Sequence, residues 1–251
     1  TVAAGWGMAG RKVPVVLFHD WGFGGFPWME ISPADRTLWM RVRGAEIYAA
    51  GGFFAFPVHG PFGNDARQDG TLAEIARQSA FYHRHADLYL GPELLGFEPL
   101  ESDTPDLSLA LWRRESPPSL ILHAINRRSA DGRIVPRGQV AVRLPVDRSP
   151  RGVRVVSPDW TGEKAGRASV EKGMLTVELP QLDAYSVAIL DYDTLPAAKL
   201  SGRRIVPALA WSRPERNEFV VDAEGLVHDA WALPGLLQGK LHTHMRNPPS
   251  F

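Results

Sequence analysis

The chain has 251 residues, 28 basic against 28 acidic side chains, and hydrophobic residues make up 44% of it. That is ample apolar content for a core in one large domain or two modest ones, and the balanced charge gives no sign of the basic face that a nucleic-acid partner normally needs, so none is expected. No cysteine is present, which removes disulfides and thiolate chemistry. No apolar run approaches the ~18 residues of a membrane-spanning helix, so a membrane is not expected as a partner either.

Residues 13–18 form a short apolar run rich in β-branched side chains, the pattern of a strand buried on both faces. It runs into His19, Asp20 and Trp21 and then into a glycine-rich loop, 22–27. Ser32-Pro33-Ala34-Asp35 reads as a helix start, with Ser32 as N-cap and Pro33 at the first helical position. That helix is expected to stop at Gly51 or Gly52, where a left-handed cap is cheap. Residues 53–58 are the next strand candidate and lead to a loop carrying His59, Asn64 and Asp65. Thr71 and Glu74 have capping-box spacing at the start of a second helix, read as running to about Leu90.

From Ser108 the rhythm changes to short strands: 109–112, 119–125, 139–144, 153–156, 174–179 and 186–190. Turn signals separate them, among them Pro117-Pro118, Asp131-Gly132 and Lys172-Gly173. Several alternate apolar and polar side chains, as in Val140, Val142, Leu144 and Leu175, Val177, Leu179, which predicts a β-sandwich. Further strands are expected at 203–209 and 219–222, and a β-rich stretch near 236–249. The first hundred residues thus read strand, helix, strand, helix, the rhythm of an α/β barrel or a doubly wound sheet.

Several motifs together resemble the glycoside hydrolase family of dextranases and cycloisomaltooligosaccharide glucanotransferases. They are the strand at 14–18, Gly44-Ala45-Glu46-Ile47-Tyr48-Ala49-Ala50-Gly51-Gly52 before a strand, and Phe81-Tyr82-His83-Arg84-His85-Ala86-Asp87-Leu88-Tyr89-Leu90 in the helix that follows. Downstream, Leu122-His123-Ala124-Ile125-Asn126 and Ser157-Pro158-Asp159 continue the likeness. The resemblance implies an α/β plus all-β chain: the C-terminal portion of a (β/α)8 barrel over 1–103, an antiparallel β-sandwich over 104–195, and a further β-rich segment or tail over 196–251. It implies cleavage or transfer of glycosidic bonds by paired carboxylates. In the family these carboxylates lie on earlier barrel strands, so no catalytic residue is carried over to this chain. Phe56-Pro57-Val58-His59 also stands where the family's last barrel strand has a glutamate-bearing sequence.

Loops after barrel strands open onto the active-site face. The substrate-binding candidates are therefore His19, Asp20 and Trp21 after the first strand, and His59 and Asp65 after the second. Asp20 would accept hydroxyl hydrogen bonds and Trp21 would stack on a sugar ring; the plain alternative for Asp20 is a turn in which it bonds nearby backbone amides. His83 and His85 lie two apart on a helix and do not share a face, and His242 and His244 lack a third ligand, so no metal is expected; nor is a cofactor. The partners expected are an oligo- or polysaccharide and additional domains of the same parent polypeptide. An extracellular or periplasmic location is favoured. The alternative reading is a non-catalytic carbohydrate-binding or structural β-rich protein.

Overall fold

The structure, a computed structural model, describes residues 16–18, 33–55, 70–96, 102–131, 133–197, 209–211 and 219–221. They divide into two compact units, one drawn from 33–51 and 69–201, the other from 1–32, 52–68 and 202–251. In chain order the elements begin with β1 (Val16–Phe18), α1 (Pro33–Ala49), β2 (Phe53–Ala55) and α2 (Thr71–Arg84), followed by a 3-10 turn at Ala86–Leu88. The strands then run β3 (Glu93–Gly96), β4 (Leu107–Arg114), β5 (Ser119–Asn126), β6 (Ser129–Ala130), β7 (Arg133–Ile134), β8 (Val140–Leu144) and β9 (Gly152–Val156). They finish with β10 (Lys164–Ala165), β11 (Arg167–Glu171), β12 (Met174–Leu179), β13 (Tyr185–Asp191), β14 (Leu209–Trp211) and β15 (Phe219–Val221).

The larger unit is the expected β-sandwich with α1 and α2 added to it. One sheet has six strands in the order β10-β9-β13-β5-β4-β3, the other three in the order β11-β12-β8. Neighbouring strands in both sheets pair antiparallel. β8 and β12 alternate buried and accessible residues along their length, because one face meets the core and the other meets solvent. Every residue of β5 is buried. Its Leu120, Leu122 and Ala124 enter a core shared with Val142, Leu144, Leu175 and Val177 of the smaller sheet. The alternate residues, Ile121, His123 and Ile125, point to the opposite face, where α1 packs on β5. A helical layer, a six-stranded sheet and a three-stranded sheet therefore stack within this unit.

Local chemistry explains most element ends. Gly51 takes φ 79 beyond α1, and its N–H donates to the Tyr48 carbonyl at 2.8 Å, closing the helix with a left-handed residue as the sequence predicts. Lys172 and Gly173 both have positive φ, 51 and 77, so the two-residue loop joining β11 to β12 has the mirror-image turn that matches strand twist. Two expectations about α2 are corrected. Its N-cap is Gly70, at φ 82, rather than a Thr71–Glu74 capping box: the Glu74 carboxylate is taken by Arg77 and Gln78. It also ends at Arg84 rather than near Leu90, because the chain tightens into the 3-10 turn that buries Leu88 and Tyr89. Gly44 lets the two helices approach: a Cβ there would stand 2.0 Å from Gln78 Oε1.

In the smaller unit β1 and β2 pair parallel, with Val16 opposite Phe53, Leu17 opposite Phe54 and Phe18 opposite Ala55. Parallel neighbours need a long crossover, and in sequence the 17-residue helix α1 supplies it. β14 and β15 form a separate antiparallel pair; residues 203–208 and 222 of the strands expected there lie outside the described residues. Residues 56–58 of the expected second strand, and the stretch near 236–249, lie outside the described residues.

Candidate functional site

The sequence places its substrate-binding candidates directly after β1 and β2. Because the two strands are parallel and in register, Phe18 and Ala55 end them side by side. His19 follows Phe18 in the chain, and His59 comes four residues after Ala55. His19, Asp20, Trp21, His59 and Asp65 themselves lie outside the described residues.

Within the larger unit the polar groups concentrate in two places, both between the helical layer and the six-stranded sheet. The first is built around Asp159, in the turn after β9, whose side chain is fully buried. Its Oδ1 accepts from Arg41 of α1 at 2.6 Å and from Arg77 of α2 at 2.9 Å. Its Oδ2 accepts the backbone N–H groups of Ala184 and Tyr185 at 2.7 and 3.0 Å. Burial alone would raise the pKa of this carboxyl, but the charge and hydrogen bond of Arg41, the Tyr185 amide and the Arg77 charge outweigh it and hold the pKa below its ordinary value. Arg77 also donates to the Pro158 carbonyl and, through Nε and a terminal nitrogen, to both oxygens of Glu74 at 2.9 and 2.6 Å. Gln78 ties Glu74 Oε1 (2.9 Å) to the Arg41 carbonyl (3.0 Å), which draws the backbone of α1 into the same network. Each oxygen of Asp159 already accepts two donors, so the carboxylate is placed to hold two helices and not to move protons.

The second concentration is aromatic. Tyr89, just past the 3-10 turn, shares a 2.8 Å hydrogen bond with the Tyr185 hydroxyl, which bonds His123 Nδ1 at 2.6 Å. Tyr48 stacks on Tyr82 with ring centres 4.9 Å apart, and Tyr82 lies 4.7 Å from Tyr89. Trp112 of β4 sets its indole N–H on the Ala49 carbonyl at 2.9 Å, pinning the end of α1. Burial lowers the His123 pKa to about 3 and raises those of Tyr89 and Tyr185, so all three are neutral at pH 7. Elsewhere on this unit an open hollow is lined by Asp87, Gly91, Arg113, Arg114, Glu115, Ser116 and Pro117. Its arginines are already paired, Arg114 with Asp87 and Arg113 with Glu115.

His123 and Asp159 both belong to sequence motifs singled out above, but their part in joining helices to sheet was not foreseen. Arg41 and Arg77 were missed, and Glu74 reads in the sequence as a capping residue rather than as part of this network. The one local signal was the Glu74–Arg77 spacing of three on one helix face, which promises only a helix-surface ion pair.

No protein-family model and no curated protein matches the chain. Solved structures show partial likeness. A cycloisomaltooligosaccharide glucanotransferase from Paenibacillus sp. is 17% identical over 63% of this chain and 27% of its own, with a TM-score of 0.47. An alpha-fucosidase from Thermotoga maritima is 13% identical over 70% of this chain and 38% of its own, TM-score 0.41. Alpha-L-fucosidase isoenzyme 2 from Paenibacillus thiaminolyticus is 15% identical over 52% of this chain and 19% of its own, TM-score 0.29. The chain spans less than two fifths of the length of each of these proteins.

Proposed function

We propose that this chain is the C-terminal part of an α/β-barrel glycoside hydrolase or transglycosylase, with β1 and β2 as adjacent barrel strands and the β-sandwich as the domain that follows them in sequence. The observation that carries the reading is the parallel, in-register pairing of β1 with β2 across a helical connection, followed in the chain by an antiparallel sandwich. That order matches the motif order on which the sequence resemblance rests. The reaction proposed is attack at a sugar's anomeric carbon assisted by two carboxylates, one as nucleophile or base and one as acid. In this reading the pair lies on strands other than β1 and β2.

This chain's contribution is substrate contact. His19, Asp20 and Trp21 after β1, with His59 and Asp65 after β2, line one mouth: Asp20 accepts sugar hydroxyls, Trp21 offers a stacking face, and His59 supplies a further hydrogen bond. The sequence division proposed is barrel units to residue 103, sandwich to 195 and a further segment beyond. The test uses the full-length polypeptide, Asp20→Ala and His59→Ala variants, and a panel of α- and β-glucans. Turnover by the parent, lost in both variants while circular dichroism stays unchanged, is the expected result. Turnover unaffected by either change removes these loops from the site. Sugar binding without turnover favours a non-catalytic carbohydrate-binding protein.

A further inference from the structure

We propose that the interface between the helical layer and the six-stranded sheet is an acid-released latch, so that acidification frees α1 and α2 while the β-sandwich stays folded. The inference is independent of the proposed function. It starts from how unevenly ionisable groups are distributed across the sheet. On the sandwich side the core cluster is aliphatic except for Tyr192, and protons have nothing to act on there. On the helix side, Asp159 bonds both helices directly, and His123 is sealed beneath Tyr89 and bonded to Tyr185; both must keep their neutral-pH ionisation state for the layer to stay closed.

His123 is fully buried, and its Nε2 has no hydrogen-bond partner among the described residues. The groups facing it are Tyr89 from the segment after α2, Trp112 from β4 and Tyr185 from β13. Behind Tyr89 stand Tyr82 of α2 and Tyr48 of α1. None of these can become an anion in acid, so an imidazolium here would be a buried charge with no counter-ion. Moving the helical layer away gives the ring access to water. Asp159 is the complementary lock. It faces Arg41 from α1 and Arg77 with Glu74 from α2, and protonation would leave both guanidinium groups without their shared anion.

The signs agree. The His123 pKa is depressed to about 3 by burial, so its contribution to the closed state is complete above the open-state value of 6.5 and fades as pH falls below it. The Asp159 pKa is also depressed, so its contribution is lost at lower pH still, below 3.8. Each uncompensated proton costs the closed state about tenfold in population per pH unit.

Hydrogen–deuterium exchange of the full chain, corrected for intrinsic rates and compared between about pH 7 and pH 4, tests the proposal. The expected result is that peptides within 33–50 and 71–90 lose protection about tenfold per pH unit below about 6.5, while peptides from β8 and β12 keep theirs. Loss of protection in both layers at one pH, or in neither, overturns the proposal. His123→Gln, which is polar but does not titrate, should move the release to lower pH, and an unmoved midpoint also overturns it. Should that variant fail to fold, histidine-ring NMR of the parent decides instead. A His123 ring that stays neutral until the helices release supports the latch, and one that titrates near 6.5 with the helices still protected refutes it.

Discussion

The two faces of the six-stranded sheet solve the burial problem in different ways. Leu120, Leu122, Ala188 and Leu190 project into the sandwich core, where complementary aliphatic volume suffices. At odd-numbered positions of the same strands, His123 and Tyr185 project toward the helices and need named hydrogen-bond partners. An apolar face tolerates neighbours of the right size, whereas a polar face demands them in one geometry. The lesson is that the sandwich is held by volume, while the helical layer is fastened to it at a few polar points.

The sharpest way to break this contrast is Asp159→Ala. It deprives the partly exposed Arg41 and Arg77 of the buried anion they share and strips acceptors from two backbone amides. A loss of about 4 kcal/mol is expected in urea unfolding, with helix-reporting signals lost before strand-reporting ones. Leu122→Ala acts on the other face, where the side chain is wholly buried. It should cost about 3 kcal/mol and lower the urea midpoint of both signals together, since the cavity lies in the shared core. Gly44→Ala is the mildest change and concerns only the contact between α1 and α2. The added methyl meets Gln78 Oε1, and the amide cannot swing away without its Nε2 giving up the bonds it donates to Glu74 and the Arg41 carbonyl. About 2 kcal/mol is expected, read from the thermal midpoint of the far-ultraviolet helix signal.

What could be read from the sequence followed the same division. The sandwich strands β8 and β12 were legible because one-sided burial writes alternation into the chain, and Lys172-Gly173 marked their neighbouring hairpin. β5 and β13 read as apolar runs because both faces are covered. β11 was not recognised: Arg167-Ala168-Ser169-Val170-Glu171 is an edge strand whose outward residues are polar and whose inward ones are small. α2 was read too long because its apolar spacing continues through the 3-10 turn. The parallel partnership of β1 and β2 was implied by the strand–helix–strand rhythm. The Asp159 network left no trace, since Arg41 and Arg77 lie 118 and 82 residues from it, and no local pattern encodes such a meeting. Gly44 was noticed as part of a motif, but the reason for a glycine there is the closeness of Gln78, which only the packing reveals.

The proposal of a sugar-binding mouth rests on two strand ends acting together, so the most direct test watches both at once. In a 15N NMR titration of the full chain with α- and β-glucan oligosaccharides, the Trp21 indole and the His59 ring should shift along one saturation curve for at least one sugar. Signals that stay fixed across the whole panel, or a response confined to one of the two, would contradict the shared mouth.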